Sequence, residues 1–125
     1  MAETRLPTDA ELEILRVLWE RGPSTVREVQ EVLSAQREVG YTTALKLLQI
    51  MYEKGLVRRD ESARTHVYEA GVAQDRTQNA LVGDLVDRAF GGSASALVLG
   101  ALSSKPASKE ELAEIRRLLD ELEGT

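Results

Sequence analysis

The fold of this chain is decided by one stretch, Tyr41-Thr42-Thr43-Ala44-Leu45-Lys46-Leu47-Leu48-Gln49-Ile50-Met51-Tyr52-Glu53-Lys54-Gly55-Leu56-Val57-Arg58-Arg59, followed after a polar tip by Arg64-Thr65-His66-Val67-Tyr68. Its periodicity predicts a helix with one apolar and one polar face. The helix begins at Thr42, or at Tyr41 if its cap lies earlier, and ends at Gly55, which suits a left-handed C-terminal cap. Residues 56–59 and 65–68 then read as two strands. A polar helix surface beside a two-stranded ribbon indicates a winged helix-turn-helix fold.

Two further helices precede this stretch. Thr8-Asp9-Ala10-Glu11 and Thr25-Val26-Arg27-Glu28 are capping boxes, in which a threonine and a glutamate three residues later satisfy each other's backbone N–H groups. The first helix ends at Gly22-Pro23. The apolar residues expected to face the core are Leu12, Leu15, Leu18 and Trp19 in the first helix and Val26, Val29, Val32 and Leu33 in the second. Three helices followed by a hairpin is the winged-helix order.

The character of the chain changes after Ala70-Gly71. Residues 74–90 carry an apolar stripe, residues 94–102 form an almost wholly apolar helix, and a third capping box at Ser108 opens the last helix. We therefore predict a mainly α fold with a small β-hairpin wing: a winged helix-turn-helix domain at 1–72 and a three-helix dimerisation domain at 73–125. Because the second part cannot close a core alone, a second copy is expected to cover it. The positions predicted to form that dimer are Leu81, Leu85, Phe90, Leu97, Leu99, Leu112, Ile115, Leu119 and Leu122.

The composition excludes several classes of protein. The chain has 125 residues, 42% of them hydrophobic, and no cysteine, which excludes disulfides and thiolate metal sites. The first residues lack the apolar run of a signal peptide. The longest apolar run, residues 96–99, is far shorter than a membrane span. We therefore expect a cytoplasmic protein that does not insert into a membrane.

Net charge argues against nucleic-acid binding at first sight, since the formal charge is −5. The charge is unevenly distributed, however. Residues 37–68 contain six Lys/Arg and four Asp/Glu, whereas residues 73–125 contain six and nine. Phosphate attraction depends on charges within about 8 Å at physiological salt. A locally basic edge can therefore bind DNA while the rest of the chain stays acidic.

Four segments carry a resemblance to a known family: Tyr41-Thr42-Thr43, Glu53-Lys54-Gly55-Leu56-Val57, the return strand from Arg64 to Tyr68, and Gly91-Gly92-Ser93 with Ala96-Leu97-Val98-Leu99. In this order they resemble the penicillinase-repressor (BlaI/MecI/CopY) family over nearly the whole chain. The resemblance implies a homodimeric repressor on a palindromic double-stranded operator. In the β-lactam-responsive branch, it also implies a membrane sensor peptidase that triggers cleavage in the dimer domain.

Two departures limit what the resemblance implies. At the place of the branch's scissile bond, between an asparagine and an aromatic residue, this chain has Gly100-Ala101, so these residues mark a cleavage position that the residue types do not support. The cysteine pairs of the copper-responsive branch are missing, which excludes copper sensing through thiolates. The only histidine, His66, makes a poor metal site and is interpreted as an ordinary strand residue. No catalytic constellation is present, so we expect neither an enzyme nor a cofactor.

The predicted DNA contacts lie on the polar face of the third helix, at the start of the second helix and on the hairpin: Thr25, Tyr41, Thr42, Thr43, Lys46, Gln49, Arg58, Arg64 and Thr65. Gln49 can pair with adenine, and Lys46 suits guanine or a phosphate. One of Thr42 and Thr43 is expected to cap the helix, and their hydroxyls also suit a phosphate. The alternative is that these are solvated surface residues and caps.

The hairpin leaves one choice open. Strand alternation puts Arg58 and Arg59 on opposite faces, and the sequence does not decide which faces DNA, although Arg58 is preferred. Ser24 and Thr25 are either backbone contacts or caps only. Leu45 and Ile50 are expected to pack rather than to contact thymine methyl groups.

The most direct interpretation is a homodimeric repressor whose release follows from weakening of the dimer, by proteolysis if the β-lactam-responsive pattern applies. Two other functions stay open at this point. The acidic balance favours a winged-helix module that binds protein rather than DNA. The second open function is a DNA-binding regulator that binds a small molecule in its C-terminal helical domain.

Overall fold

The computed structural model describes residues 6–124. Its elements, in chain order, are α1 (Asp9–Arg21), β1 (Ser24–Thr25), α2 (Val26–Ser34), α3 (Tyr41–Lys54), β2 (Val57–Asp60), β3 (Val67–Ala70), α4 (Gln74–Ala89), α5 (Ala94–Ser104) and α6 (Lys109–Glu123). The predicted mainly α fold with a small winged sheet is confirmed. One compact unit runs to Leu81 and a second begins at Val82. That division falls inside α4, later than the predicted boundary at 72/73, which stays a prediction.

The capping boxes begin their helices as predicted. At α1, Thr8 Oγ1 accepts the Glu11 N–H at 3.2 Å, and a Glu11 carboxylate oxygen accepts the Thr8 N–H at 2.9 Å. Thr25 and Glu28 form the same pair of bonds at α2, and Ser108 begins α6 in the same way. Each box satisfies two backbone N–H groups that would otherwise lack a partner at the helix start.

The start of α3 agrees with one of the two predicted positions, but its cap differs from the prediction. The helix begins at Tyr41, its N-cap is Gly40, and no side chain caps it, so the expectation that Thr42 or Thr43 caps the helix is wrong. The physical reason lies in the preceding turn. There the carbonyl of the buried Val39 accepts a hydrogen bond from the Ser34 hydroxyl at 2.9 Å. This contact fixes where the chain enters the helix. Both threonines consequently lie in the first turn with exposed side chains.

The sheet has three antiparallel strands in the order β1-β3-β2. The two-residue strand β1 was not predicted; it pairs Ser24 with Tyr68. The return strand begins two residues later than predicted, and the register pairs Arg59 with Tyr68 and Asp60 with Val67. Residues 61–66 therefore lie outside the ladder as the tip. We call β2, this tip and β3 the wing.

The core of the first unit is aliphatic with one buried tyrosine. Tyr68 is 1% exposed, and it packs with fully buried residues from all three helices, among them Ile14, Leu15, Val29, Leu48 and Met51. The predicted inward stripe of α1 is partly right. Leu15 and Leu18 are buried, whereas Leu12 and Trp19 are only half-buried. The unpredicted burial of Ile14 and Val17 arises because α1 packs against α2, α3 and β3, which cover more than one face.

The second unit, α5, α6 and the later part of α4, buries far less. Among its described residues no hydrophobic side chain is buried, and Leu99 and Leu122 are 67% and 73% exposed. Phe90 lies against Gly100, where a Cβ atom would come within 3.3 Å of the ring. The unit therefore presents a large apolar surface to its surroundings.

Candidate nucleic-acid interface

The outer face of α3 is a polar ridge formed by Thr42, Lys46 and Gln49. These three side chains are exposed and recur at steps of four and three residues, so they share one side of the helix. Ala44 and Leu48, on the opposite side, are fully buried. Burial of one face thus fixes the rotation of α3, and the ridge points away from the core.

Two apolar residues flank this ridge, and both are half-buried. Leu45 packs against the buried core, as expected for a packing residue. Ile50 lies on the other side of the ridge. Tyr41, at the start of the helix, is exposed instead.

An open cleft of about 500 Å³ adjoins the ridge. It is lined by Thr25, Val26, Arg27, Tyr41, Leu45, Arg64, Thr65, His66 and Tyr68. The cleft therefore brings together four predicted contact residues from three separate segments: the start of α2, the start of α3 and the tip of the wing. We refer to it below as the α2–wing cleft.

Two cleft residues were not assigned correctly from the sequence. Arg27 was missed, although its place in the first turn of α2, beside a predicted contact at Thr25, was a usable signal. His66 was interpreted as a strand residue, but it immediately precedes β3 and lines the cleft, half-buried. Ser24 is excluded as a backbone contact, since it is buried and donates its hydroxyl to the Gly22 carbonyl at 2.9 Å.

Ion pairing separates the basic residues of the first unit into two groups. Five of them, all off the ridge and outside the cleft, pair with carboxylates: Arg21 with Glu28, Arg37 with Glu13, Lys54 with Glu11, Arg58 with Glu69, and Arg59 with Glu61. Within residues 21–64, the basic residues that have no carboxylate within 4.0 Å in the described structure are Arg27, Lys46 and Arg64. All three lie on the ridge or in the cleft. Within residues 21–64, the uncompensated positive charge is therefore concentrated on one surface. The guanidinium groups of Arg16 on α1 and Arg76 on α4 also have no carboxylate within 4.0 Å in the described structure, and they lie outside the ridge and the cleft.

The two wing arginines lie on opposite faces, as alternation predicted. Arg58 is 71% exposed and pairs across the strands with Glu69 at 3.2 Å. It lines a different cleft, which Pro23, Val67 and Arg59 also line, so the structure does not bring it to the other candidate contacts. Arg59 is 20% exposed and lies 4.0 Å over the ring of Tyr52. Its hydrogen bonds, first to Tyr68 and then to Glu61, raise its pKa.

The acidic groups near this surface are held in their charged form. The backbone N–H of Thr25 bonds to Glu28 and lowers the pKa of that carboxyl at the start of α2. Hydrogen bonds from Ser62 lower the pKa of Asp60 at the beginning of the tip. The carboxylates therefore stay ionised at neutral pH, and the surface keeps its mixed charge.

The predicted dimer residues lie in α4, α5 and α6, except for Phe90, which directly follows α4. The exposed ones are Leu85, Leu99, Leu119 and Leu122; the half-buried ones are Leu81, Phe90, Leu97, Leu112 and Ile115. Val98 and Leu118, which were not predicted, are also exposed large apolar residues. Gly100 and Ala101 lie inside α5, so a peptidase would have to unwind a helical turn to reach their bond.

Across residues 6–124, no group of three or more His, Cys, Asp or Glu side chains is placed to hold a metal ion. Within that range, no helix is by itself both long and apolar enough to cross a membrane; α4 and α5 meet those criteria only together, as a bent pair.

Comparison with known proteins connects this surface to a family. A family model described as penicillinase repressor matches residues 7–121. The transcriptional regulator BlaI of Mycobacterium tuberculosis is 34% identical over 126 residues, covering 99% of this chain and 90% of that protein.

Solved structures agree with this relationship. The monomeric form of Bacillus licheniformis BlaI in complex with the blaP half-operator aligns with a TM-score of 0.51 and 25% identity, over 60% of this chain and 92% of that one. The DNA-binding domain of the repressor BlaI aligns with a TM-score of 0.51 and 26% identity, over 59% of this chain and 90% of that one. The family match spans nearly the whole chain, and the fold and the relatives agree with it. The chain belongs to the penicillinase repressor family of winged-helix transcriptional repressors.

Proposed function

We propose that this repressor binds a palindromic operator as a homodimer, with α3 in the major groove and the α2–wing cleft against the flanking backbone. One observation carries the proposal: the unpaired cations Arg27, Lys46 and Arg64 lie on the same surface as the polar ridge of α3. Positive charge without a protein partner attracts phosphate most strongly, because no carboxylate has to be displaced. The Bacillus licheniformis BlaI monomer, solved in complex with a half-operator, supports the same assignment.

The contacts divide by chemistry. A helix about 10–12 Å across fits the major groove, which is about 12 Å wide. There Gln49 pairs with an adenine edge and Lys46 with guanine or a phosphate. Thr42 and Thr43 lie beside the free N–H groups at the start of α3, a position that suits a backbone phosphate. Thr25 and Thr65 donate hydroxyl protons to phosphates at the two edges of the cleft.

Dimerisation follows from charge and from apolar exposure. The three unpaired cations on the ridge and in the cleft provide few phosphate contacts, so one subunit holds DNA weakly and two are needed. The exposed leucines of α5 and α6, including Leu99, Leu119 and Leu122, supply the surface that a second copy covers. Two copies then contact half-sites separated by about 34–36 Å or a multiple of it.

Release from DNA follows in this proposal from weakening of the dimer. Proteolysis between Gly100 and Ala101 by a membrane sensor peptidase stays a prediction, and it requires that α5 unwind locally. Incubating the repressor with membranes from cells that carry a neighbouring sensor-peptidase gene, and mapping any cleavage by mass spectrometry, tests it. An intact chain under inducing conditions would rule out this route.

The DNA-binding surface is tested by footprinting the chain on its own promoter. We expect protection of two half-sites, and loss of protection when Lys46 and Gln49 are both changed to Ala, with the dimer intact by light scattering. Arg16→Ala is the matched control, because Arg16 is an exposed basic residue on α1 and lies outside the ridge and the cleft. Unchanged promoter occupancy by the double variant would refute the proposal and leave a protein-interaction module as the better interpretation.

A further inference from the structure

The inner face of the wing carries an arginine that is not free to bind DNA. We infer that Arg59 is a positioning residue, which holds the tip of the wing against α3 so that Arg64 reaches the DNA backbone. This inference rests on the proposed function, because it concerns how one of its contacts is placed.

Three segments converge on the Arg59 side chain. The guanidinium lies 4.0 Å from the centre of the Tyr52 ring, on α3. Its Nη2 is 2.7 Å from Glu61, at the beginning of the tip, and its Nε is 2.9 Å from the same carboxylate. Across the ladder its partner is Tyr68, which is part of the buried core. The Arg59 guanidinium therefore links α3 to the tip, while the Arg59 backbone pairs with the buried core residue Tyr68.

The same contacts leave little of the guanidinium for a ligand. A guanidinium offers five N–H donors in a fixed fork and two flat faces. Here the Nε side and one terminal nitrogen point to Glu61, and one face is covered by the ring of Tyr52. Exposed Arg58, one residue earlier, lacks such packing and shares only a cross-strand pair with Glu69.

Arg64 depends on this anchor because no ladder bond orders the tip. The register between β2 and β3 ends at Asp60 and Val67, so Arg64 lies in the unpaired segment between them. Two contacts shape the beginning of that segment: the Arg59–Glu61 pair and the Asp60–Ser62 turn, whose N–H···O distance is 2.9 Å. Removal of the first contact frees Glu61, three residues before Arg64, and lets the tip move away from α3.

A double-mutant cycle on operator binding by the full chain tests the inference. Arg64→Ala alone should weaken binding to all sequences. It should also lower the slope of log K against log salt by about 2 per dimer, because each of the two lost phosphate contacts contributes roughly 0.9. Arg59→Met should cause nearly the same loss. The double variant should bind at most about twofold more weakly than Arg59→Met, because the wing contact is already lost in that single variant.

Variants of Tyr52 separate positioning from direct contact. Tyr52→Phe keeps the ring under Arg59 and should bind like the parent chain, whereas Tyr52→Leu removes the ring and should reproduce the loss seen with Arg59→Met. Arg58→Ala is the matched control, an adjacent arginine on the other face, and should leave the Arg64 effect intact. If Arg59→Met does not fold, as judged by circular dichroism, the Tyr52 pair still carries the test.

Two results would overturn the inference. Additive losses from Arg59→Met and Arg64→Ala would mean that Arg59 makes its own DNA contact. No loss from Arg64→Ala would mean that there is no wing contact to position. The second result leaves the proposed function standing if Lys46→Ala and Gln49→Ala still weaken binding, and removes both if they do not.

Discussion

The most informative stability prediction concerns a charge buried between α1 and α3. The Glu11 side chain is 3% exposed and lies 2.7 Å from Lys54 Nζ, at the last residue of α3. Replacing Glu11 by Gln keeps the shape and the capping box, since Gln also serves at this position. What the variant loses is the charge-assisted bond that ties the start of α1 to the end of α3.

The magnitude follows from how well each partner is buried. Breaking a fully buried ion pair by removing one member costs about 3–5 kcal/mol. Lys54 remains 28% exposed, so its ammonium can turn toward water when Glu11 is lost. We therefore expect the smaller cost of losing a hydrogen bond between charged groups, about 1.5–3 kcal/mol at pH 7. Against a total stability of about 5–15 kcal/mol, that is a large effect.

The pH dependence of this pair has a definite sign. Burial acts to raise the pKa of Glu11, but the hydrogen bonds from Lys54 and Thr8 outweigh it, so the pKa is lowered overall. A lowered pKa in the folded state means that the ionised carboxylate stabilises the fold above its unfolded pKa of about 4.3. This contribution is lost as the pH falls through the still lower folded pKa. The difference between the parent chain and Glu11→Gln should therefore be largest near neutrality and shrink in acid.

Urea denaturation at fixed protomer concentration, followed by far-UV circular dichroism at several pH values, measures this difference. Glu13→Gln is the control, because Glu13 makes an exposed pair with Arg37 and should contribute little. Equal unfolding free energies for Glu11→Gln and the parent chain at pH 7 would refute the reasoning. So would a difference that persists undiminished below the folded pKa.

Three further predictions follow from particular positions. Leu119→Asp should split the dimer in analytical ultracentrifugation while the first unit stays folded; a variant that remains dimeric would remove α6 from the interface. Gly71→Ala should lower the melting temperature, because its Cβ would lie 3.0 Å from the Gly55 carbonyl oxygen, whereas Gly83→Ala, with nothing within 4 Å, should not. Gln49→Ala should relax preference at one base position in a binding-site selection, whereas Arg64→Ala should weaken all sequences alike; matching profiles would reverse these two assignments.

Local signals predicted most of the helices. The capping boxes at Thr8, Thr25 and Ser108 bond within three residues, so the sequence alone contains both partners. Gly55 adopts the left-handed conformation expected at the end of α3, with φ at 82°. The polar ridge was also predictable, because burial of Ala44 and Leu48 fixes the opposite side of the helix. In each case the controlling interaction lies within one or two helical turns.

Features set by distant residues were not predictable in the same way. The absence of a threonine cap at α3 was missed because Val39 is held by side chains of α2, and β1 exists only because Ser24 meets Tyr68 across the fold. Arg27 was missed as a cleft residue, since its place beside Thr25 was the only local signal and the cleft also depends on the distant tip of the wing. Which cations are unpaired depends on carboxylates elsewhere, such as Glu13 for Arg37 and Glu11 for Lys54. Charge counting along the sequence cannot make that distinction.

The central claim is that the unpaired cations of the ridge and the cleft, rather than the basic residues in general, meet the DNA. The salt dependence of operator affinity tests it most directly, with Arg27, Lys46 and Arg64 changed together to Gln. The control changes the ion-paired Arg21, Arg37 and Arg58 to Gln, which alters the net charge equally. We predict that the first variant loses up to about 5 units of the slope of log K against log salt per dimer, at roughly 0.9 per phosphate contact, while the control keeps the parent slope. Equal slopes for the two variants would contradict the account.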